Sequence, residues 1–270
     1  PPTVLAKIVA AAQGRRFPHL KTIYCGTAVL SPTLHARAKA IFGPVIRVTY
    51  GKSEVNNPIT VLDPAETDAW YTEGGRQADA CVGWPATGVE VAIRDEDGRL
   101  ASEGETGEVL IRAPHMMSGT IGADGYEALD PDAFHQTGDL GFLDHLGRLH
   151  LTGRAADIIK TGGYKVVPDE IERILSAALG KGEVAVCGLP SEYWGEVIVA
   201  VAERPPSGWQ GRLEEAVSTM TGYKRPRALV ALDELPRNAM LKVSRKAVRE
   251  RLLATHRLID GPRPVLEPIS

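Results

Sequence analysis

The stretch from Thr152 to Glu172 constrains the fold most, because the sequence pattern of the 270-residue chain changes across it. It reads TGRAADIIKTGGYKVVPDEIE and combines an arginine, a Gly-Gly pair and an acidic segment that begins with a proline. Pro168 stands where a helix would begin, and the apolar residues after it recur on one helical face as far as a stop at Gly180. The pattern predicts a domain boundary near residue 155.

The two sides of this boundary differ in predicted architecture. Residues 1–62 alternate helix and short strand signals, with a helix predicted from Ser31-Pro32 to about Ile41. Residues 82–151 are typical of hairpins in a small antiparallel β unit. Beyond the boundary, apolar strand segments alternate with helical segments, which predicts an α+β module. We therefore expect an α/β and α+β fold, with one domain over 1–154, a second over 155–257, and a Pro-rich tail over 258–270 that frays.

Composition argues against several classes of function. A formal net charge of −3 and the lack of a basic run argue against a nucleic-acid surface. The three cysteines are widely spaced and form no CxxC pair, so neither a disulfide framework nor a zinc site is indicated and a cytoplasmic location is expected. No aliphatic run is long enough to span a bilayer and no signal peptide is visible, so no membrane partner is expected. Because the chain opens on Pro1 without a Met, we expect further sequence upstream.

Two motifs of the first part place polar groups at predicted strand ends, TYGKSE (49–54) and HQTGDL (135–140). Gly51 lets a ligand approach the backbone, and the Ser53 hydroxyl beside the Glu54 carboxylate suits a phosphate and its Mg²⁺. The two carboxylate oxygens of Asp139, in a predicted Thr-Gly-Asp turn, match a vicinal diol such as that of ribose. Taken alone, each motif is better explained by an ordinary turn with solvated or capping polar groups.

Two further motifs lie at the boundary and beyond it. Arg154 offers a planar fork for phosphate or ribose. Gly162 and Gly163 either form a flexible linker or leave backbone bare for a narrow ligand tunnel. In LPRNAMLKVSR (235–245), Lys242 lies in a loop before a basic helix, where a mobile ammonium could stabilise developing negative charge. A solvated surface lysine is the simpler alternative for Lys242.

In this order along the chain, the four motifs resemble those of the adenylate-forming superfamily, which contains acyl-CoA synthetases, adenylation domains of peptide synthetases and luciferases. Four other stretches support the resemblance: CGTAVLSP (25–32), CVGWPATGVEVAIRDEDG (81–98), GEVLIRAP (107–114) and VAVCGLPSEYWGEVIVAVA (184–202). The resemblance covers nearly the whole chain and leans toward acyl-CoA synthetases. It implies that 1–154 is the C-terminal part of the large adenylate-forming domain and that 155–257 is its small mobile C-terminal domain.

Three departures from the family pattern stand out. The family's Ser/Thr/Gly-rich phosphate loop is absent and is expected in an upstream N-terminal part of the same enzyme. The hinge position that usually holds Asp or Lys is Ala156, with Asp157 beside it. The position before the catalytic lysine, usually Gly, is Leu241, which puts the flexibility of that loop in doubt.

The resemblance implies an AMP-forming ligase. Such an enzyme activates a carboxylic acid with ATP, releases pyrophosphate, and passes the acyl group from the acyl-adenylate to a thiol, usually that of CoA. Carried over by position, Glu54 would hold Mg²⁺ and Ser53 would contact phosphate. Lys242 would bridge the carboxylate and the α-phosphate during adenylation.

The same resemblance assigns the remaining site residues. Asp139 would bind the ribose hydroxyls, with Arg154 beside it. Gly26, Thr27 and Ala28, after the first strand, would border the adenine, with Tyr50 near it, and Gly51 would be a further nucleotide-binding residue. Gly162 and Gly163 would line the thiol tunnel after a rotation of the small domain. The stretch that joins Arg154 to this Gly pair would thus serve both half-reactions.

The sequence leaves the acid and the acceptor open. One alternative within the superfamily passes the activated acid, or an unusual oxyanion, to an amine instead of CoA. Another is a catalytically idle member that binds only nucleotide or a partner, as Ala156 and Leu241 suggest. A homodimer is compatible with either.

Overall fold

The computed structural model describes residues 1–12, 14–55, 58–73, 79–238 and 242–269, which form two compact units. The first unit comprises Pro1–Thr152 and the second unit comprises Gly153–Ser270. The limits of the natural domains, placed by sequence at 1–154, 155–257 and 258–270, stay a prediction.

The helices and strands of the first unit alternate at its start and are mainly strands afterwards. Its helices are α1 (Pro2–Ala11), α2 (Pro32–Phe42) and α3 (Pro64–Thr72). Its strands are β1 (Ile23–Cys25), β2 (Ile46–Tyr50), β3 (Thr60–Leu62), β4 (Ala80–Pro85), β5 (Glu90–Arg94), β6 (Gly107–Arg112), β7 (Gly119–Gly122), β8 (Gly125–Ala128), β9 (His135–Leu143) and β10 (Leu149–Arg154).

Short-range capping explains where two of these helices begin. The Ser31 hydroxyl accepts a hydrogen bond of 3.2 Å from the Leu34 N–H, which confirms the predicted start of α2. Asp63 and Glu66 form a capping box at the start of α3. α3 was not predicted, although the Asp-Pro-x-Glu pattern of 63–66 is a recognisable signal for a helix start.

Eight strands of the first unit form one mixed sheet in the order β1-β2-β3-β4-β10-β9-β6-β5. β1 and β2 pair in parallel, and the pairs β2–β3, β3–β4, β4–β10, β6–β9 and β5–β6 are antiparallel. The predicted α/β layer and antiparallel unit are therefore both present, but they share one sheet because β4 pairs with strands of each. Gly83 (φ +90°) makes this junction feasible, since a Cβ there would clash with the backbone of Val61 on β3.

Apolar side chains of α1, α2 and the sheet form the core of the first unit. Fully or nearly fully buried members include Leu5, Val9, Ala38, Ile46, Ile59, Leu62, Ile111 and Leu149. Each large side chain buried in this way stabilises the fold by about 1.5–3 kcal/mol. The core supports the sheet whose edge carries the residues discussed below.

A buried charged cluster joins β4 to β10 at the sheet junction. The His150 ring lies 3.0 Å from Asp79 through Nδ1 and 3.1 Å from Asp144 through Nε2, and it stacks on Phe142. Burial alone would lower the pKa of His150, but its hydrogen bonds to Asp79, Cys81 and Asp144 raise that pKa to about 10. His150 is therefore an imidazolium at neutral pH, neutralising buried carboxylates.

We expect this cluster to make stability fall at alkaline pH. Because the pKa of His150 is higher in the folded chain than in the unfolded chain, its contribution is complete below about pH 6.5 and is lost as the pH rises to about 10. Urea unfolding followed by tryptophan fluorescence should show this decline, since the Trp70 ring lies 5.1 Å from that of His150. His150→Gln should cost about 3–5 kcal/mol at pH 6 and flatten the profile, whereas the exposed His145→Gln should do neither. If the free energy of unfolding depends on pH in the same way in the wild type and in His150→Gln, the role proposed for His150 is wrong.

The second unit is an α+β module, as predicted. Its helices are α4 (Pro168–Leu179), α5 (Trp209–Thr219) and α6 (Arg245–Thr255), with 3-10 turns at Ala155–Asp157 and Gly222–Lys224. Its strands are β11 (Ile159–Thr161), β12 (Tyr164–Val166), β13 (Val184–Ser191), β14 (Gly195–Glu203), β15 (Ala228–Leu232), β16 (His256–Ile259) and β17 (Val265–Pro268).

The sheet of the second unit is buried on both faces. Its order is β12-β11-β14-β13, and β15 pairs in parallel with β14. Alternate residues of β13 and β14 enter two cores: Val186 and Ile198 pack with α4 and α5, whereas Cys187 and Val199 pack with α6. The predicted face of α4 was Ile171, Ile174, Leu175 and Ala178: Ile171 and Leu175 are fully buried, and Ile174 and Ala178 are partly buried against the same core. Leu179, which was not predicted, is also buried, and Gly180 ends the helix with φ +74° as expected.

The C-terminal stretch is more ordered than predicted. Residues 256–259 and 265–268 pair as an antiparallel ladder, β16 with β17, instead of fraying. Leu258 and Leu266 are cross-strand partners that both pack against the core beside α6. The expectation of a fraying tail, which rested on the prolines, is wrong here. The apolar pair holds the two strands against the core.

Within the described ranges, every helix is too short or too polar to cross a membrane. Cys25, Cys81 and Cys187 are free thiols and all three are buried. Burial raises the pKa of Cys187 to about 12, so this thiol is unreactive at neutral pH.

Candidate active site

The carboxyl ends of the parallel strands β1 and β2 lie side by side at one edge of the first unit's sheet. Residues 26–28 follow β1 there, and Tyr50 ends β2. A Cβ on Gly26 would lie 2.6 Å from the Thr49 carbonyl oxygen, so only glycine allows this close approach. In open α/β sheets this edge is where ligands bind.

Thr27 adds strain at the same edge. Its φ of +70° is a left-handed conformation, which costs a non-glycine residue about 1 kcal/mol or more. Thr27 and Ala28 are both exposed. A strained, exposed segment held beside Tyr50 fits a surface that contacts a ligand.

Tyr50 and Asp139 are brought into direct contact. The Tyr50 hydroxyl donates a hydrogen bond of 2.5 Å to Oδ2 of Asp139, which lies 89 positions further along the chain. The two residues are only 9% and 6% exposed. A carboxylate this buried requires charge-assisted hydrogen bonds, so the pair forms a defined polar site at the edge of β2.

The Thr-Gly-Asp motif was predicted to form a turn, and that prediction is wrong. In the structure the motif is a bulge inside β9. Leu110 pairs with Gln136 and Glu108 with Leu140, so the single residue Val109 faces the three residues of the motif, 137–139. Gly138 adopts φ +72°, and the Thr137 hydroxyl donates a hydrogen bond of 2.8 Å to the Val109 carbonyl. The bulge interrupts the strand's regular pleat immediately before Asp139.

Lys52 connects the two motifs, although the sequence analysis assigned it no role. Its ammonium donates a hydrogen bond to the Thr137 carbonyl and lies 4.0 Å from Oε1 of Glu54. Its side chain is only 17% exposed. The position between Gly51 and Ser53 was visible in the sequence, but the partner across the sheet was not.

Glu54 offers the chemistry expected for a magnesium ion carried by phosphates. Throughout the described residues, no group of three or more His, Cys, Asp and Glu side chains could hold a metal ion. Glu54 therefore supplies a single carboxylate, 30% exposed, with the exposed Ser53 next to it. Mg²⁺ is commonly bound by one or two carboxylates together with phosphates and water, so these residues fit the ion.

The other predicted site residues belong to the second unit. Gly162 and Gly163 form the two-residue turn that joins β11 to β12, with φ values of +55° and +82°. Positive φ at both positions favours glycine in such a turn, so the pair is a tight hairpin and not a flexible linker. The Gly162 N–H donates a hydrogen bond of 2.8 Å to the Trp194 carbonyl, a neighbour that the sequence analysis overlooked.

The predicted hinge begins directly after Arg154. Arg154 is the last residue of β10 and is exposed. Ala156 is the exposed middle residue of the 3-10 turn Ala155–Asp157. Within this turn the Ile158 N–H donates a hydrogen bond of 3.4 Å to the Ala155 carbonyl, and the Asp157 carboxylate pairs with Arg245.

Lys242 lies at the end of a loop whose two ends are tied together. The Lys242 N–H donates to Oδ1 of Asn238 at 3.0 Å, and the Asn238 N–H donates to the Lys242 carbonyl at 2.8 Å. Arg237 and Val243 form an isolated β-bridge next to these bonds. The predicted effect of Leu241 concerns a residue outside the described part of the chain.

Two separate segments of the chain match known families. Residues 1–120 match the family of AMP-binding enzymes, and residues 170–242 match the C-terminal domain of AMP-binding enzymes. The matched segments include every residue of the candidate site except Asp139, Arg154, Gly162 and Gly163.

Curated relatives are named as CoA ligases. The chain is 31% identical to a medium/long-chain-fatty-acid–CoA ligase of Mycobacterium tuberculosis, over 88% of this chain and 42% of the relative. It is 32% identical to a 4-chlorobenzoate–CoA ligase of an Arthrobacter species, over 90% of this chain and 45% of the relative. The chain thus spans about half the length of the curated relatives it matches.

Solved structures of similar fold extend the comparison. The o-succinylbenzoate CoA synthetase of Bacillus subtilis in complex with its acyl-adenylate intermediate superposes with a TM-score of 0.75 at 28% identity, over 92% of this chain and 49% of that one. An amide bond synthetase of Marinactinospora thermotolerans superposes with a TM-score of 0.73 at 26% identity, over 93% and 55%. With both family matches in sequence order, the chain belongs to the AMP-binding, adenylate-forming enzymes.

Proposed function

We propose that this chain is part of an AMP-forming acid–thiol ligase. The enzyme would activate a carboxylic acid with ATP, release pyrophosphate and transfer the acyl group from the acyl-adenylate to CoA. The observation that carries the proposal is the buried hydrogen bond between Asp139 and Tyr50, the last residue of one of two parallel strands, within a family named for AMP binding. An upstream part of the same enzyme would complete the site, as the chain's share of its relatives suggests.

The first unit would bind the nucleotide. Asp139 would accept hydrogen bonds from the ribose hydroxyls, and the backbone of residues 26–28 would border the adenine near Tyr50. Ser53 would contact phosphate and Glu54 would hold Mg²⁺, which when bound neutralises phosphate charge. Lys52 would hold the segment that carries Glu54 next to the β9 bulge through its hydrogen bond to the Thr137 carbonyl.

The second unit would serve the two half-reactions in turn. Lys242 would contact the acid and the α-phosphate during adenylation, with Arg154 near the ribose. After rotation about the hinge, the hairpin turn at Gly162 and Gly163 would line the thiol path. The buried free thiols suit the reducing cytoplasm that we propose as its location.

Pyrophosphate exchange tests this proposal. The longest natural polypeptide containing this chain should show ATP–pyrophosphate exchange that depends on a carboxylic acid, screened across aliphatic and aromatic acids. The 270-residue chain alone should show none, because its sequence holds no Ser/Thr/Gly-rich phosphate loop. Acid-dependent exchange by the short chain, or none by the long one with any acid, would contradict the proposal.

A second acceptor deserves the same assay, because one structural neighbour is named as an amide bond synthetase. Once an acid is found, CoA and a panel of amines should be supplied separately and the products identified by mass. A thioester supports the acid–thiol ligase, and an amide supports the alternative. A catalytically idle member would give neither product and no exchange.

Asp139→Ala is expected to weaken the binding of ATP far more than the binding of the acid. Two charge-assisted hydrogen bonds to the ribose would be lost, together worth about 3 kcal/mol, so the KM for ATP should rise by roughly 10²-fold. Steady-state exchange kinetics in the longer polypeptide measure this. Asp132→Ala, an exposed carboxylate just before β9, is the matched control. An unchanged KM for ATP would remove Asp139 from the ribose site.

A further inference from the structure

We propose that Arg245 is a positioning residue, which fixes the loop carrying Lys242 to the segment that leaves the hinge. The inference rests on the proposed function for the role of Lys242, and on contacts within the second unit for the rest. Arg245 was not singled out in the sequence, where it appears only as the start of a basic helix.

Arg245 joins three parts of the second unit through one guanidinium. Nε and Nη2 form a fork on Glu172 of α4, at 2.9 and 2.5 Å. Nη2 also lies 2.9 Å from Asp169 at the start of α4. Nη1 donates to Asp157, the residue that directly follows the hinge position Ala156. The side chain of Arg245 is only 19% exposed, so these bonds are shielded from water.

This cluster is suited to fixing geometry. Burial raises the pKa of Glu172, and the Arg245 charge and the Val186 N–H, at 2.8 Å, oppose that rise. Burying a guanidinium among three carboxylates adds little net stability, because desolvation offsets the attraction. Only arginine has the planar fork that can serve several carboxylates at set angles. We therefore interpret the cluster as a device that sets the position of α6.

The loop that carries Lys242 is anchored to the same helix. Lys242 precedes Arg245 by three residues, and the Ser244 hydroxyl caps α6 by accepting the Ala247 N–H. The Ser244 N–H donates to the Pro236 carbonyl at 2.9 Å, and Asn238 pairs with Lys242 as described above. The loop neck is thus closed, and its orientation follows that of the first turn of α6.

A mechanical consequence follows for the hinge. Because Asp157 is bonded to Arg245, the chain from Asp157 onward moves together with α6. The pivot must then lie at Ala156 or before it. Arg245 would convert rotation at the pivot into a defined placement of the Lys242 ammonium, and a displacement of about 1 Å at such a group can cost about 10²-fold in rate.

The first test uses the 270-residue chain itself and needs no activity. Amide hydrogen exchange measured by NMR should accelerate by about tenfold or more at Asn238, Lys242 and Ser244 in Arg245→Gln. Arg249→Gln is the matched control, because Arg249 lies one turn later on α6 and pairs at 2.9 Å with Glu196, a carboxylate that Arg245 does not contact. Unchanged exchange at the three amides, or equal acceleration in the control, would overturn the proposal.

The second test separates positioning from folding in the longer polypeptide. Arg245→Lys retains the charge among the carboxylates but loses the fork, so the chain should fold while the adenylation kcat falls about 10²-fold. KM values for ATP and acid, and thioester formation from supplied acyl-adenylate, should stay within about twofold. Asp157→Asn should act in the same direction with a smaller effect, because it removes the hinge contact alone.

A double substitution decides whether Arg245 positions Lys242 or has a purely structural role. In a Lys242→Ala background, Arg245→Lys should cost nothing more in adenylation, since its effect passes through Lys242. A further loss there, or an equal loss in both half-reactions, would make Arg245 a purely structural residue. Absence of exchange activity in the wild-type enzyme would instead count against the proposed function, and the NMR result on the short chain would still decide whether Arg245 holds the loop.

Discussion

Lys242→Ala is expected to abolish acyl-adenylate formation and to spare thioester formation from a supplied acyl-adenylate. During adenylation two anions meet, the acid and the α-phosphate, and negative charge increases as pyrophosphate leaves. One ammonium that contacts both groups stabilises this arrangement electrostatically. Losing such a donor typically costs about 3–4 kcal/mol, a factor of roughly 10²–10³ in rate.

The structure gives this expectation a physical basis. The neck of the loop is held by two hydrogen bonds between Asn238 and Lys242, one of them from the Lys242 N–H to the Asn238 side chain, and Arg237 next to it bonds to Glu183 at 2.9 Å and to Glu203 at 3.2 Å. Ordering the backbone beforehand lowers the entropy lost when the ammonium reaches the substrate. A lysine on an unrestrained surface loop would lack this advantage.

The measurement requires both half-reactions in the longer polypeptide. Adenylate formation is followed by pyrophosphate release, and thioester formation by mixing synthetic acyl-adenylate with CoA. Lys246→Ala removes an exposed lysine four positions later, on α6, and is the matched control. If Lys242→Ala leaves both rates near wild type, Lys242 is an ordinary surface lysine and the idle-member alternative gains support.

Local signals predicted helices other than α3, whereas the pairing of strands that are distant in sequence determined much of the rest of the fold. The Ser-Pro start of α2 and the Gly180 end of α4 are encoded within a few residues, so the sequence located both helices well. The continuity of the first unit's sheet depends on β4, which pairs with residues near 60 on one side and near 150 on the other. Such partners are distant in sequence, and periodicity alone does not identify them.

The candidate site shows the same division. Motif order predicted Tyr50 and Asp139 as parts of one nucleotide site, but not the hydrogen bond between them or the bulge before Asp139. The bulge depends on the register of β9 against β6, which is a property of the assembled sheet. The role of Arg245 was not predicted for a related reason, because its partners Asp157 and Glu172 lie 88 and 73 positions away in the sequence.

Ala156→Pro is expected to uncouple the two half-reactions. A pivot must adopt two sets of backbone angles, and proline fixes its own φ near −65° and disfavours helical angles in the residue before it. Ala155 is the first residue of the 3-10 turn in this structure, so proline at 156 should destabilise that turn. If proline destabilises one of the two hinge conformations by about 3 kcal/mol, the half-reaction that requires that conformation should slow by roughly 10²-fold.

We expect thioester formation to be the step that is lost and adenylation to persist, so that acyl-adenylate accumulates on the enzyme. Quenched-flow analysis of bound adenylate and released thioester measures both steps in one experiment. Ala156→Ser retains the full range of φ and should lose far less, which separates the effect of the proline ring from that of any change at this exposed position.

The proline variant also distinguishes the pivot from the arm that it moves. Because Asp157 is bonded to Arg245, a pivot at Ala156 should act on rotation without loosening the Lys242 loop. Amide exchange at Asn238 and Lys242 should therefore be unchanged in Ala156→Pro, in contrast to Arg245→Gln. Equal loss of both half-reactions in Ala156→Pro would contradict a pivot here, and faster exchange at those amides would mean that the hinge and the loop are not the separate elements that the contacts of Arg245 suggest.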